Sequence, residues 1–595
     1  MTTQTTGAES VRWDLHELFS GLDDPKINTV LDDSRARAEA FVGKFKGLLG
    51  ELSPEALAKA YEMLESITGP LYRLSQYINL LYAVDTADDK IKAMLAKVEQ
   101  HASTTSNLLV FFSLELGQLS EEQFSKFDGA IALSSFAYKI AKLRKNARYN
   151  LSEKEEQIIN LKDLNGANAH QKLYNELVAS FSFEFELDGE IQTLNGDQLR
   201  ALRQHPKPDV RQRAMQLFFS RYEDNSLVIN HLYNALVKDH GIEVDLRGFD
   251  NPISTMNTHN DLSDEAIQAL NDVTTESYTL VNRYYKLKAK MLGLDKLTLA
   301  DIYAPLPEAS KFYSFEEAKK LVLDGFRSFD NAFYSMAKTM FDENRIDAPV
   351  EPQKRGGAFC SSSTPDLNPY VLLNYTGKVR DVSTMAHEIG HAIHAMFSSD
   401  QKLMNYHSIL PLAETASIFS EMVLTDSLLK RETDVAVKKS MLTGKLEDIF
   451  ASSHRQNMFS SFEVVSHAAI NDQLQSSGEL SELYTIELKK MFGDSVEFTP
   501  EYAWEWSSIP HIFNVPFYVY AYNFGNLLVL ALYQQYLDEG DSFKPKYKEF
   551  LSMGSSASPA DITRIVGADI NHPDFWRKSL KYIESLIDQL EELVN

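Results

Sequence analysis

The chain has 595 residues, with 84 acidic against 59 basic side chains and a formal net charge of −25. That charge excludes a nucleic-acid binder, which would concentrate Lys and Arg to neutralise phosphates. A lone cysteine, Cys360, excludes an intrachain disulfide and a cysteine-held zinc, so any metal must sit among His, Asp and Glu.

The opening MTTQTTGAESVRWDLHELF lacks the basic, apolar and small-residue progression of a signal or transit peptide, and a cytoplasmic location is expected. Apolar positions then recur at three and four over most of the chain, which predicts a mostly α protein. Ser120 with Gln123, Ser152 with Glu155, and Ser314 with Glu317 read as capping boxes before such runs. The exception is FSFEFELDGEIQTL, where Phe181, Phe183, Phe185 and Leu187 alternate with polar residues before Asp188-Gly189; this predicts a β-hairpin. It is taken as the end of an N-terminal helical region, 1–195, with a second region over 196–595. A further short β region is expected at GGAFCSSS and PYVLLNYTG. Within it, Gly356, Gly357 and Ala358 read as either a strand edge able to pair with an extended peptide or an ordinary tight turn.

DVSTMAHEIGHAIHAMFSS then offers Asp381 or Ser383 as a helix cap and places His387 and His391 one helical turn apart. Two imidazoles on one face can hold a zinc ion, with Glu388 beside them to take a proton from a metal-activated water. Hydrolysis needs a third ligand. His394 lies about 10 Å along the axis from His387, and the glycine turn of HExxHxxGxxH enzymes is missing, so it reads as a supporting or packing residue. Glu414, set among small and apolar residues in LPLAETASIFSEMVL, is the better candidate, since a carboxylate facing the core needs a partner. Glu421, seven residues on, is placed to hydrogen-bond a ligand histidine.

HEIGHAIH followed by ETASIFSE resembles the thimet oligopeptidase and oligoendopeptidase F family of zinc peptidases. The lead-in GGAFCSSSTPDLNPYVLLNYTGKVRDVSTMAHEIGHAIH and the opening VRWDLHELFSGLDDPKI resemble its oligoendopeptidase F branch. The resemblance implies one zinc held by His387, His391 and Glu414, with Glu388 as general base. It also implies a two-lobed helical zincin-type body that encloses a deep channel admitting oligopeptides. In this family a histidine and tyrosines of the C-terminal segment act on the tetrahedral intermediate, which here points to His511, Tyr518 and Tyr522 in IPHIFNVPFYVYAYNFGN. An endopeptidase of intracellular peptide turnover is expected; a zinc carboxypeptidase and an inactive peptide-binding protein are the alternatives. No membrane partner is expected, because polar residues interrupt the uncharged stretch Ile509 to Leu537, which reads as an interior helix.

Overall fold

In the computed structural model, which describes residues 5–306 and 311–595, the chain is predominantly helical with a few short strands. All three expected capping boxes form. In each, the serine hydroxyl accepts an amide of the first turn while the Glu or Gln side chain accepts the serine amide, satisfying donors that a helix start leaves free. The hairpin forms as well: Ser182–Leu187 pairs antiparallel with Glu190–Asn195. Its turn residues Asp188 (φ 52°) and Gly189 (φ 86°) both occupy the left-handed region, as a two-residue turn matched to strand twist requires.

The chain divides into two compact units, each built from three stretches. One comprises Met1–Arg148, Ser310–Arg431 and Tyr536–Ala568; the other comprises Tyr149–Ala309, Glu432–Gln535 and Asp569–Asn595. The hairpin lies inside the second, so the division between units does not coincide with a boundary at residue 195.

In the first unit, the helices Pro25–Phe45, Pro54–Val84 and Asp89–Leu109 bury an aromatic cluster. There Tyr61 stacks on Phe136 with ring centroids 4.6 Å apart and stands edge-on to Phe112. The expected β region forms a three-stranded sheet. Its central strand, Tyr370–Leu372, runs antiparallel to Phe359–Ser361 and parallel to Ile346–Asp347. Tyr370, Val371 and Leu372 are all buried, and the chain leaves this sheet into the helix Val379–Phe397.

The helix Tyr520–Glu539, which belongs to the second unit as far as Gln535, is continuously buried from Asn523 to Gln535, which accounts for the absence of charge there. Among the described residues no helix is long and apolar enough to cross a membrane. Two buried cations of this unit are paired, which offsets the cost of placing them in the interior: Arg211 meets Asp301 at 2.6 Å, and Lys288 meets Glu447.

Candidate metal centre

Neither expected cap opens the histidine helix. It begins at Val379, one turn earlier, and the Asp381 carboxylate reaches back to accept the amides of Thr376 and Lys378. His387 and His391 project from one face with ring centroids 4.8 Å apart. Glu414 does not lie within a helix. It occupies the junction between the short helix Leu410–Ala413 and the helix Thr415–Arg431, with its side chain 42% exposed rather than turned into the core.

From this junction Glu414 Oε2 comes within 3.3 Å of His387 Nε2 and 3.4 Å of His391 Nε2. One ligand atom from each of the three residues lies within 4.8 Å of the others. A tetrahedral zinc with bonds of about 2.0–2.1 Å spaces its ligands about 3.3–3.4 Å apart. The donor set therefore fits such an ion, and two imidazoles with one carboxylate are a zinc-type combination.

Four further residues hold this arrangement. Glu421 Oε1 lies 2.7 Å from His387 Nδ1. The Ser417 hydroxyl donates to Glu414 Oε2 at 2.8 Å and to the Glu414 carbonyl at 3.0 Å, fixing the carboxylate over its own helix start. His394, buried behind the pair, donates to the carbonyl of Ala413, immediately before Glu414. At Gly390, between the two histidines, a Cβ would meet the Ser417 Cα at 2.6 Å and the Ala416 carbonyl at 2.7 Å. The two helices touch backbone to backbone at that point. Ser417 and Gly390 were not singled out from sequence; a glycine inside an otherwise regular helix was the available signal for close approach.

The electrostatics follow from this packing. Burial acts to lower the His387 pKa, but hydrogen bonds to Glu414 and Glu421 outweigh it and push it up to about 10. Burial likewise acts to raise Glu414, yet the two histidines hold its carboxylate far below the ordinary value. Glu388 is 7% exposed, and its pKa is raised chiefly by burial, against the pull of His387 and His391. Burial pushes His394 down to about 4, which makes it a neutral imidazole.

A cavity of about 400 Å³ opens on these groups, and Ala358, Cys360, Tyr406 and His407 are among its lining residues. Of the expected peptide-pairing residues, only Ala358 lines it. Gly356 and Gly357 form a bend, Gly357 at φ 80°, and the side chain of Asn374 donates to the Gly357 carbonyl. The edge strand itself starts at Phe359. Burial and the nearby Glu388 raise the Cys360 thiol pKa, which suits a packing role rather than a nucleophile.

In the second unit, His511, Tyr518 and Tyr522 come together. The rings of His511 and Tyr518 are parallel with centroids 6.0 Å apart; Tyr522 stands edge-on to both, its hydroxyl 3.4 Å from His511 Nε2. Tyr520 is separate, buried with its hydroxyl accepting from Asn260.

A mostly helical fold in which a histidine pair of one helix meets a glutamate set just before a later helix is a metallopeptidase arrangement. The chain belongs to peptidase family M3, whose model matches residues 201–582; the oligopeptidase F model matches residues 115–183. It is 27% identical to an oligoendopeptidase F homolog of Borreliella burgdorferi over 98% of both chains. It is also 27% identical to the oligopeptidase PepF of Bacillus subtilis, over 93% of this chain and 83% of that one. A solved protein of Chlamydophila abortus matches with a TM-score of 0.89 at 25% identity over 99% of both chains. The oligoendopeptidase-F of Enterococcus faecium shares the fold, with a TM-score of 0.70 at 22% identity over 96% and 98% of the chains.

Proposed function

We propose that this M3 peptidase is a zinc-dependent endopeptidase that hydrolyses oligopeptides, with intracellular peptide turnover in the cytoplasm as its role. The observation that carries the reading is the convergence of His387, His391 and Glu414 on one point, with Glu388 adjacent in the same helix. These three residues would hold the ion, and zinc there supplies Lewis acidity to a water and to the scissile carbonyl.

Glu388 takes the proton from the attacking water and returns it to the leaving amine. Its buried setting favours the proton-bearing form more than water would, which suits a group that must accept and then release a proton. Glu421 holds the His387 ring, and Ser417 holds the Glu414 carboxylate. His511, Tyr518 and Tyr522 are assigned to hydrogen-bond the oxyanion, a task worth about 2.7–4 kcal/mol of activation free energy per donor. Ala358 and the edge strand after it are assigned to the substrate backbone.

The test uses an internally quenched peptide of about ten residues blocked at both ends, long enough to offer an extended segment to a strand edge. Wild type is expected to cleave it, and Glu388→Ala to retain zinc but lose cleavage. Trimming of a free C-terminus with the blocked peptide left intact would replace this reading with that of a carboxypeptidase; zinc-loaded protein without either activity would refute both.

A further inference from the structure

Tyr518 follows a residue in an unusual conformation. Phe517 holds φ at +59°, the left-handed region that a bulky side chain rarely adopts without outside support. Its ring is 1% exposed and packs on His467 and His240, with centroids 4.5 Å and 5.9 Å away. Its amide donates to Oε1 of Glu463 at 2.7 Å.

Glu463 comes from a different element, the helix His454–Asp472, and is fully buried. Among the described residues its Oε2 has no hydrogen-bond partner. Burial pushes its pKa up to about 8, so the carboxyl is neutral at physiological pH and offers its carbonyl oxygen to Phe517. A carboxyl kept in the interior for one backbone contact costs stability that an apolar residue of the same size would not. What that contact fixes is the turn between the short helix Pro510–Asn514, which carries His511, and the helix that carries Tyr522. Inside the turn the Val515 amide donates to the His511 carbonyl at 2.8 Å, and the Tyr518 amide to Val515 at 3.3 Å. Rotation at Phe517 would therefore swing Tyr518 away from His511 and Tyr522.

We infer that Glu463 is a positioning residue for peptide hydrolysis: its hydrogen bond to the Phe517 amide holds that residue in the left-handed conformation and so aims Tyr518 in register with His511 and Tyr522. The inference rests on the assignment of these three residues to the oxyanion. It predicts an effect on the chemical step rather than on ground-state binding.

The test compares full-length Glu463→Met, which fills the same space without an acceptor, with Glu463→Gln, which keeps one. Glu463→Met is expected to lower kcat by about a hundredfold with KM, zinc content and melting temperature little changed, while Glu463→Gln stays near wild type. Should Glu463→Met fail to fold, the α-hydroxy acid analogue of phenylalanine introduced at position 517 replaces the amide N–H that donates to Glu463 by an ester oxygen and must reproduce the loss. Tyr518→Phe must itself lower kcat, and adding Glu463→Met to it must cost no more. A wild-type kcat for Tyr518→Phe would overturn the oxyanion assignment and this inference together. A damaged Tyr518→Phe beside an undamaged ester variant, or a loss in Glu463→Gln equal to that in Glu463→Met, would overturn the inference alone.

Discussion

The Nδ1 of His387 lies 2.7 Å from Oε1 of Glu421, and this leaves Nε2 directed at Oε2 of Glu414, 3.3 Å away. The form of His387 that binds a metal is the neutral imidazole, with one N–H; bonding to Glu421 places that N–H on Nδ1 and keeps the Nε2 lone pair for the ion. Glu421→Ala is therefore expected to weaken zinc binding by about 10–100-fold. Competition against a chelator of known affinity measures this, and an unchanged zinc affinity would remove Glu421 from the centre.

Gly390→Ala tests the contact between the two ligand-bearing helices. Its added Cβ meets backbone at 2.6 and 2.7 Å and the Ser420 hydroxyl at 2.8 Å, so the helices themselves must separate. Overpacking of this kind costs about 1–3 kcal/mol. The separation also draws Glu414 from His387 and His391. Thermal melting and zinc titration should both report losses; a variant that melts as wild type and holds zinc as tightly would show that the contact relaxes without consequence.

Glu388→Gln isolates the proton transfer. The carboxamide matches the carboxyl in size and cannot accept the proton, so kcat should fall by about 10²–10⁴-fold. Zinc content should not change, because Glu388 is not among the three converging ligand residues. Steady-state kinetics alongside elemental analysis separates the two effects, and a kcat within tenfold of wild type would assign the base elsewhere.

The parts of this architecture that were legible in the sequence are those set by short-range chemistry. Ser152 with Glu155 signals a helix start within four residues, and Asp188-Gly189 signals a turn within two, because local hydrogen bonds and φ preferences settle both. His387 and His391 were legible for the same reason: one helical turn fixes their spacing. What was not legible depends on contacts between distant segments. Ile346–Asp347 is too short to alternate and becomes a strand only because Tyr370–Leu372 lies beside it. Asp381 resembles a cap but serves as the third helical residue, a difference decided by where the chain leaves the sheet. Glu463 acts on the Phe517 amide, a group that only the fold brings near it; in sequence it is an ordinary helical glutamate.

The buried carboxyl of Glu463 also carries a stability signature. Its pKa rises from an ordinary 4.5 to about 8 in the folded chain, with burial as the first cause and the Phe517 amide acting against it. Between those values the folded chain holds a proton that the unfolded chain has released, so stability from this group is full below about 4.5 and is lost as pH rises towards about 8. Glutamine at 463 has no proton to lose. Relative to wild type, Glu463→Gln is therefore expected to gain stability as pH rises from about 5 to about 8, with its melting temperature pulling ahead by several degrees. Calorimetry of both proteins across that range checks the sign. A difference that does not change with pH would mean that Glu463 is already ionised in the folded chain, and its bond to Phe517 would then be that of a carboxylate.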